Sequence, residues 1–345
     1  MERKVSSGQP WIHSAEADSF FILFPPFFSV FGALLFHERV DHTRSLPLWA
    51  WVVFVVGVDV AHVYGTLFRT YLDPKVRKER LALLAWVPLV CLCTGVVLYS
   101  IEGRLFWSVL AYLAVFHFIR QQYGFMRVYS TEQDGKWIDA TMIYSASIYP
   151  LIYWHTHLPR NFNWFMDGDF LIGLPSYFDF YGRWIYLGVT SLYGLKEIRH
   201  FFRTGTTNFP KQMVILGTAL SWYVGIVILN GDFAFTLINV VSHGIPYLGL
   251  IWILGQSEGK ILRFKAWSFK ALFLFLGGLF LLAYLEEGFW DGLVWREHIE
   301  FFDVFRFLPH IEDHSLLMWL VPLLSVPQFT HYVLDGFIWK RKTFV

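Results

Sequence analysis

The chain has 345 residues, of which 55% are hydrophobic, 20% aromatic and only 16% charged, and its formal net charge is +1. Soluble domains carry roughly 25% charged residues, so this composition excludes a soluble globular protein, and the balanced charge offers nucleic acid no basic footprint. The apolar residues fall in blocks of about 17–25, the length a helix needs to cross the hydrocarbon core. The expected fold class is therefore all-α: one polytopic, integral membrane helical bundle over residues 1–345.

Ten spans are expected, at roughly 19–36, 46–69, 81–101, 104–126, 138–155, 180–200, 211–229, 233–255, 267–285 and 315–339. The first is interrupted by Pro25 and Pro26, which predicts a kink or a re-entrant segment. Glu2, Glu16 and Asp18 ahead of it argue against a cleavable signal peptide. Cys91 and Cys93 share one apolar stretch. Two residues apart on a helix, they point to different faces and form no disulfide, which predicts inert buried thiols.

Basic residues recur in alternate connections: Lys75, Arg77, Lys78 and Arg80; Arg127 and Lys136; Arg203 and Lys211; Lys260, Arg263, Lys265 and Lys270; then Lys340, Arg341 and Lys342. The stretches 156–179 and 286–314 are acidic instead. The positive-inside rule then places both termini in the cytoplasm, for a multi-pass protein of a bacterial inner membrane or an internal eukaryotic one.

With that direction, each even-numbered span carries one histidine in its middle-to-cytoplasmic part: His62, His117, His200, His243 and His331. Each sits in a one-faced polar stripe, because residues three or four apart share a helix face. The stripes are Asp59, His62, Thr66 and Arg69; His117, Arg120 and Gln121; Tyr193, Lys196, Glu197 and His200; Asn239, His243 and Tyr247; and Gln328, His331 and Asp335. An Asp, Lys or Arg at a span centre costs on the order of 2.5–3.5 kcal/mol, so such groups turn inward and usually serve a function. The expected metal ligands are His62, His117, His243, His331, His200, Glu197, Asp59 and Asp335.

Glu197-x-x-His200 has the spacing of di-iron carboxylate helices. A carboxylate in this set is alternatively an outer partner that orients a histidine, and His200 alternatively a solvated helix end. Arg120 and Tyr123 read as substrate contacts, with snorkelling the other reading of Arg120. Asn239 joins them as a catalytic candidate beside His243. His37 with His42, and His310 with His314, fall on the external side, where they read as surface residues or a second site.

No Walker loop, dinucleotide fingerprint, Gly-x-Ser-x-Gly elbow or His-Glu-x-x-His motif occurs. Histidine and carboxylate ligands without cysteine suit iron or zinc. Their surplus over four favours two irons that activate O₂ against a lipid or other long apolar substrate, with electrons from a cytoplasmic donor. Open alternatives are a zinc-dependent lipid hydrolase or transferase, a b-type haem electron carrier, a channel or carrier, and a metal-free acyltransferase using His243 with Asn239. Cytoplasmic-side histidines on membrane helices resemble the membrane histidine-rich oxygenases as a class: lipid desaturases, hydroxylases and carotenoid-modifying enzymes. The adjacent His-His pairs of desaturase boxes do not occur in this chain.

Overall fold

The computed structural model describes residues 8–130, 135–171, 173–257 and 268–338. Lys260, Arg263, Lys265, Lys340, Arg341 and Lys342, which carry part of the orientation argument, lie outside the described residues. Among the described residues the secondary structure is helical, with no strand. The main helices are α1 (Ala15–Leu23) and α2 (Pro25–Leu35), α3 (Leu48–Arg69), α4 (Leu81–Ile101), α5 (Gly103–Tyr129) and α6 (Lys136–Thr156). They continue with α7 (Tyr177–Thr204), α8 (Phe209–Ile228), α9 (Asp232–Ser257), α10 (Phe269–Trp295), α11 (His314–Leu324) and α12 (Val326–Ile338).

Helices coincide with all ten expected segments. Five of them, α3, α4, α8, α9 and α10, are long and apolar enough to cross a membrane; the total is seven if the bent pairs α1–α2 and α11–α12 each count as one span. The remaining helices, α5, α6 and α7, have 27, 21 and 28 residues, so polar content and not length separates them from the rest.

The first pair bends by 48° where Pro25 and Pro26 open α2. Proline is tolerated there because the first-turn N–H groups have no helical partner. The second pair bends by 40° around Ser325, with Pro322 before it and Pro327 restricting Val326 after it. A hydropathy profile sees only one apolar run at that point. Within α3, Trp51–Val60 is wound as π-helix, whose wider turns rotate everything that follows. His62 stands just past that stretch.

The chain folds into two compact units. The first comprises the described residues up to Leu46 together with Ala114–Pro246. In it α7 and α8 pack on α6, and α8 also packs on α2. Val30, Ala33, Val224, Leu229, Ala234 and Ile238 form one apolar core cluster. Apolar contact drives helix association weakly where lipid is just as apolar, so polar ties matter. Asp139 of α6, Lys196 and Glu197 of α7 and Lys211 of α8 form one ion-pair network. Lys196 pairs with Asp139 and with Glu197 Oε1 at 2.7 Å. Lys211, only 1% exposed, reaches Glu197 Oε1 at 2.8 Å and Asp139 Oδ2 at 3.6 Å. Asp18 ties the N-terminal segment to α5, accepting from the backbone N–H groups of Ile12 and His13 and from the Tyr129 hydroxyl.

The second unit comprises Pro47–Leu113 and the described residues from Tyr247 onward. Here α10 and α12 pack on α3, and α11 and α12 on α4. Ala61, Ala271 and Ala283 are buried in one cluster with Trp252 and Phe275; small residues let helix backbones approach closely. Gly95 serves the same purpose, since a Cβ there would stand 2.9 Å from Cβ of Pro322. Both cysteines are free thiols; Cys91 is buried as expected, but Cys93 is exposed.

Candidate metal centre

In the second unit, α3 presents His62 and α12 presents His331, each 1% exposed. Their rings meet edge to face, with centroids 4.9 Å apart at 81°. A chain of hydrogen bonds runs back from His331. Its Nδ1 lies 2.6 Å from Thr66 Oγ1, Thr66 Oγ1 lies 2.8 Å from the Tyr247 hydroxyl, and that hydroxyl donates to Asp335 Oδ1 at 2.9 Å. Counting protons fixes the direction. Tyr247 has one proton, given to Asp335, so Thr66 must donate to Tyr247. Thr66 has then spent its own proton, so His331 must donate from Nδ1. This puts the ring proton on Nδ1 and the lone pair on Nε2, the kind of tautomer selection that outer partners impose on metal-binding histidines. Asp59 Oδ1 stands 3.8 Å from His62 Nδ1, and Asp335 Oδ1 stands 3.8 Å from His331 Nδ1.

In the first unit, α5 presents His117 and α9 presents His243, again buried and edge to face, with centroids 4.9 Å apart at 80°. Phe118 stacks flat on His243 at 3.5 Å and 8°, and Trp164 meets Phe118 edge-on. The backbone under His243 is held in a particular way. Pro246 has no N–H, so the Ser242 carbonyl four residues earlier lacks its helical donor. Gln122 Nε2 donates to it at 3.2 Å, and Gln121 Nε2 donates to the His243 carbonyl at 2.8 Å. Thr218 donates to Gln122 Oε1, and the Ser221 and Ser242 hydroxyls bond each other.

His62, His117, His243 and His331 are the group, among the described residues, that could hold a metal ion: all four are buried, and one ring nitrogen from each lies within 4.8 Å of the others. Metal–nitrogen bonds of about 2.0–2.1 Å in a tetrahedral site set the ligand nitrogens about 3.4 Å apart. The donor set is four imidazoles, with neither thiolate nor carboxylate.

The other residues singled out in the sequence lie elsewhere. Glu197 accepts from Lys196, Lys211 and Gln212, so the Glu-x-x-His spacing serves an ion-pair network. His200, half-buried in the last turns of α7, bonds Thr204. Asp59 and Asp335 stand beside their histidines as partners. Arg120 donates to the Tyr144 hydroxyl at 2.6 Å and lies over the Tyr123 ring at 5.0 Å, and Tyr123 stacks on Tyr144. Asn239 donates to the Phe235 carbonyl of its own helix and packs against Gly225, where a Cβ would stand 2.8 Å from its Nδ2.

Thr66 and Tyr247 lay on the predicted stripes without an assigned role, and Phe118 and Gln122 carried no signal. A proline within an apolar span does raise the question of what satisfies the carbonyl it orphans, and Gln122 is the answer, with Gln121 on the next carbonyl. No protein-family model matches the chain, and no curated protein or solved structure matches it either.

Proposed function

We propose that the protein is a membrane metalloenzyme in which His62, His117, His243 and His331 hold one iron ion, and which oxidises a lipid or other long apolar substrate with O₂. The observation that carries this reading is the gathering of four buried imidazole nitrogens within 4.8 Å.

Electrostatics supports a divalent ion. Four neutral imidazoles leave its charge of +2 uncompensated, which is costly at membrane depth. Asp59 and Asp335, each 3.8 Å from a histidine of the group, supply two negative charges as outer partners. One ion suffices for this donor set. The second iron was expected from five histidines and three carboxylates, a surplus over four; in this reading Glu197 and His200 are engaged elsewhere and Asp59 and Asp335 act as outer partners.

Ligand count supports iron over zinc for catalysis. Four histidines complete a tetrahedral zinc and leave no position for water, whereas iron keeps open positions beyond four nitrogens. Bound iron would supply O₂ activation. The chain's own residues do the rest. Thr66, Tyr247 and Asp335 hold His331 in the Nδ1–H tautomer, and Phe118 covers one face of His243 against water. Arg120, seated between Tyr123 and Tyr144, offers a cation for the polar end of a substrate. Electrons come from a cytoplasmic donor in this reading.

The test is the metal content of detergent-purified protein. Wild type should carry about one iron per chain, and His62→Ala, His117→Ala, His243→Ala and His331→Ala should each lower it, while His200→Ala should not. One zinc and no iron would reject the oxidation chemistry, a Soret band would mean haem, and metal-free wild type would reject the centre.

A further inference from the structure

Helices α6, α7 and α8 line a half-open cavity of about 510 Å³ to which none of the four histidines contributes. Its wall includes Tyr149, Arg183, Tyr186, Tyr193, Leu216 and Tyr223. We propose that this cavity binds one acyl chain of a phospholipid whose phosphate is held by Arg183.

The polar groups of the cavity identify the occupant. Thr190 gives its hydroxyl proton to the Tyr186 carbonyl. Tyr193 donates to Gln212 Oε1 at 2.7 Å, and Gln212 Nε2 donates to Glu197. These inner groups are satisfied within the protein, so they ask nothing of a ligand, and a hydrocarbon chain asks nothing of them. Arg183 differs. Its side chain is 55% exposed; its Nη2 donates to Asp179 at 2.7 Å and its guanidinium also bonds the Tyr149 hydroxyl, which together use only part of the five N–H donors of a guanidinium. The remaining donors suit bidentate binding of a phosphate.

Depth agrees with this assignment. Arg183 sits in the second turn of α7, which begins at Tyr177. Tyr193 lies ten residues further along that helix, about 15 Å at the rise of an α-helix. That is half of the roughly 30 Å hydrocarbon core, the depth of a single leaflet's chains. Tyr149, Tyr186 and Tyr223 stack at 5.2–6.3 Å within the same wall, and tyrosine rings favour the headgroup level. The volume falls within the roughly 300–1,000 Å³ range of ligand pockets, whose walls are mostly apolar with few polar groups.

The experiment is native mass spectrometry of the delipidated full chain, released from detergent after incubation with dioleoyl phosphatidylglycerol, dioleoylglycerol or glycerol 3-phosphate. Wild type should retain one phosphatidylglycerol, hold dioleoylglycerol more weakly and fail to bind glycerol 3-phosphate. Arg183→Gln should weaken phosphatidylglycerol about tenfold, the loss expected of one charge-assisted hydrogen bond. Ala219→Trp and, separately, Leu216→Trp should fill the cavity and abolish retention. Cooperative thermal unfolding of the same preparations is the folding control and stays at the wild-type level, so failure here is distinguishable from failure of the metal centre. Retention unchanged by both tryptophan variants would overturn the site. Retention unchanged by Arg183→Gln, or binding of glycerol 3-phosphate as strong as that of the lipid, would overturn the assignment of a phospholipid.

Discussion

Replacing Thr66 with valine removes one hydroxyl and little else, because the two side chains have nearly the same shape. That hydroxyl accepts from His331 Nδ1 and donates to Tyr247. Without it, the His331 N–H loses the acceptor 2.6 Å away, at a cost of about 1–3 kcal/mol. The ring is then free to move its proton to the nitrogen that should face the ion. Loss of such an outer partner lowers metal affinity about 10–100-fold, or roughly 1.4–2.8 kcal/mol. The assay is iron retention against a graded series of chelators, with thermal unfolding of the same detergent-purified samples. Thr66→Ser keeps the hydroxyl and should behave as wild type. Tyr247→Phe should also weaken iron, by a different route: the Thr66 proton is released from Tyr247 and can turn toward Nδ1, which pushes the imidazole proton to Nε2. Wild-type iron retention in a folded Thr66→Val protein would refute the proton count from Asp335 to His331.

Three other substitutions probe the supports around the centre. Gln122→Leu bares the Ser242 carbonyl that Pro246 orphans and should cost about 1–3 kcal/mol in denaturant unfolding; in a Pro246→Ala background the restored N–H takes that carbonyl, so the two changes should couple by about 1 kcal/mol, and strict additivity would count against the arrangement. Glu197→Gln leaves Lys196 and Lys211 with Asp139 alone and should destabilise by about 3–5 kcal/mol while iron content stays unchanged; iron loss from an equally stable protein would return Glu197 to the ligand set. Gly95→Val forces a side chain into Pro322 of α11 and should lower thermal stability by about 1–3 kcal/mol, with Gly95→Ala affected less; a neutral Gly95→Val would show that the two helices are not held in that close approach.

Most helical segments are legible as long apolar blocks, while α5, α6 and α7 are more polar, and His62, His243 and His331 stand out because an imidazole inside such a block has few other reasons to be there. Glu197 shows where the reasoning stops. Its spacing to His200 fixes only the face of α7 on which both lie, and nothing in that stretch tells that Lys211 and Gln212 of α8 will arrive on the same carboxylate. In α3 the stripe survives the π-wound turns of Trp51–Val60, because His62, Thr66 and Arg69 lie in the α-helical stretch that follows and Asp59 stands 3.8 Å from His62. The bend at Ser325 escaped because Pro322 and Pro327 are apolar by any hydropathy scale. The service of Gln122 to α9 depends on a proline more than a hundred positions away, which no local pattern around Gln122 announces.

The network on Glu197 has a consequence for how the chain is made. Its two acids belong to α6 and α7, and one of its ammonium groups, on Lys211, belongs to α8. Translation delivers α6 and α7 from the ribosome first, so both carboxylates are already in place when the lysine of α8 reaches the bilayer. The later helix therefore enters beside waiting counter-charges, and the order of synthesis lets Lys211 be buried already paired.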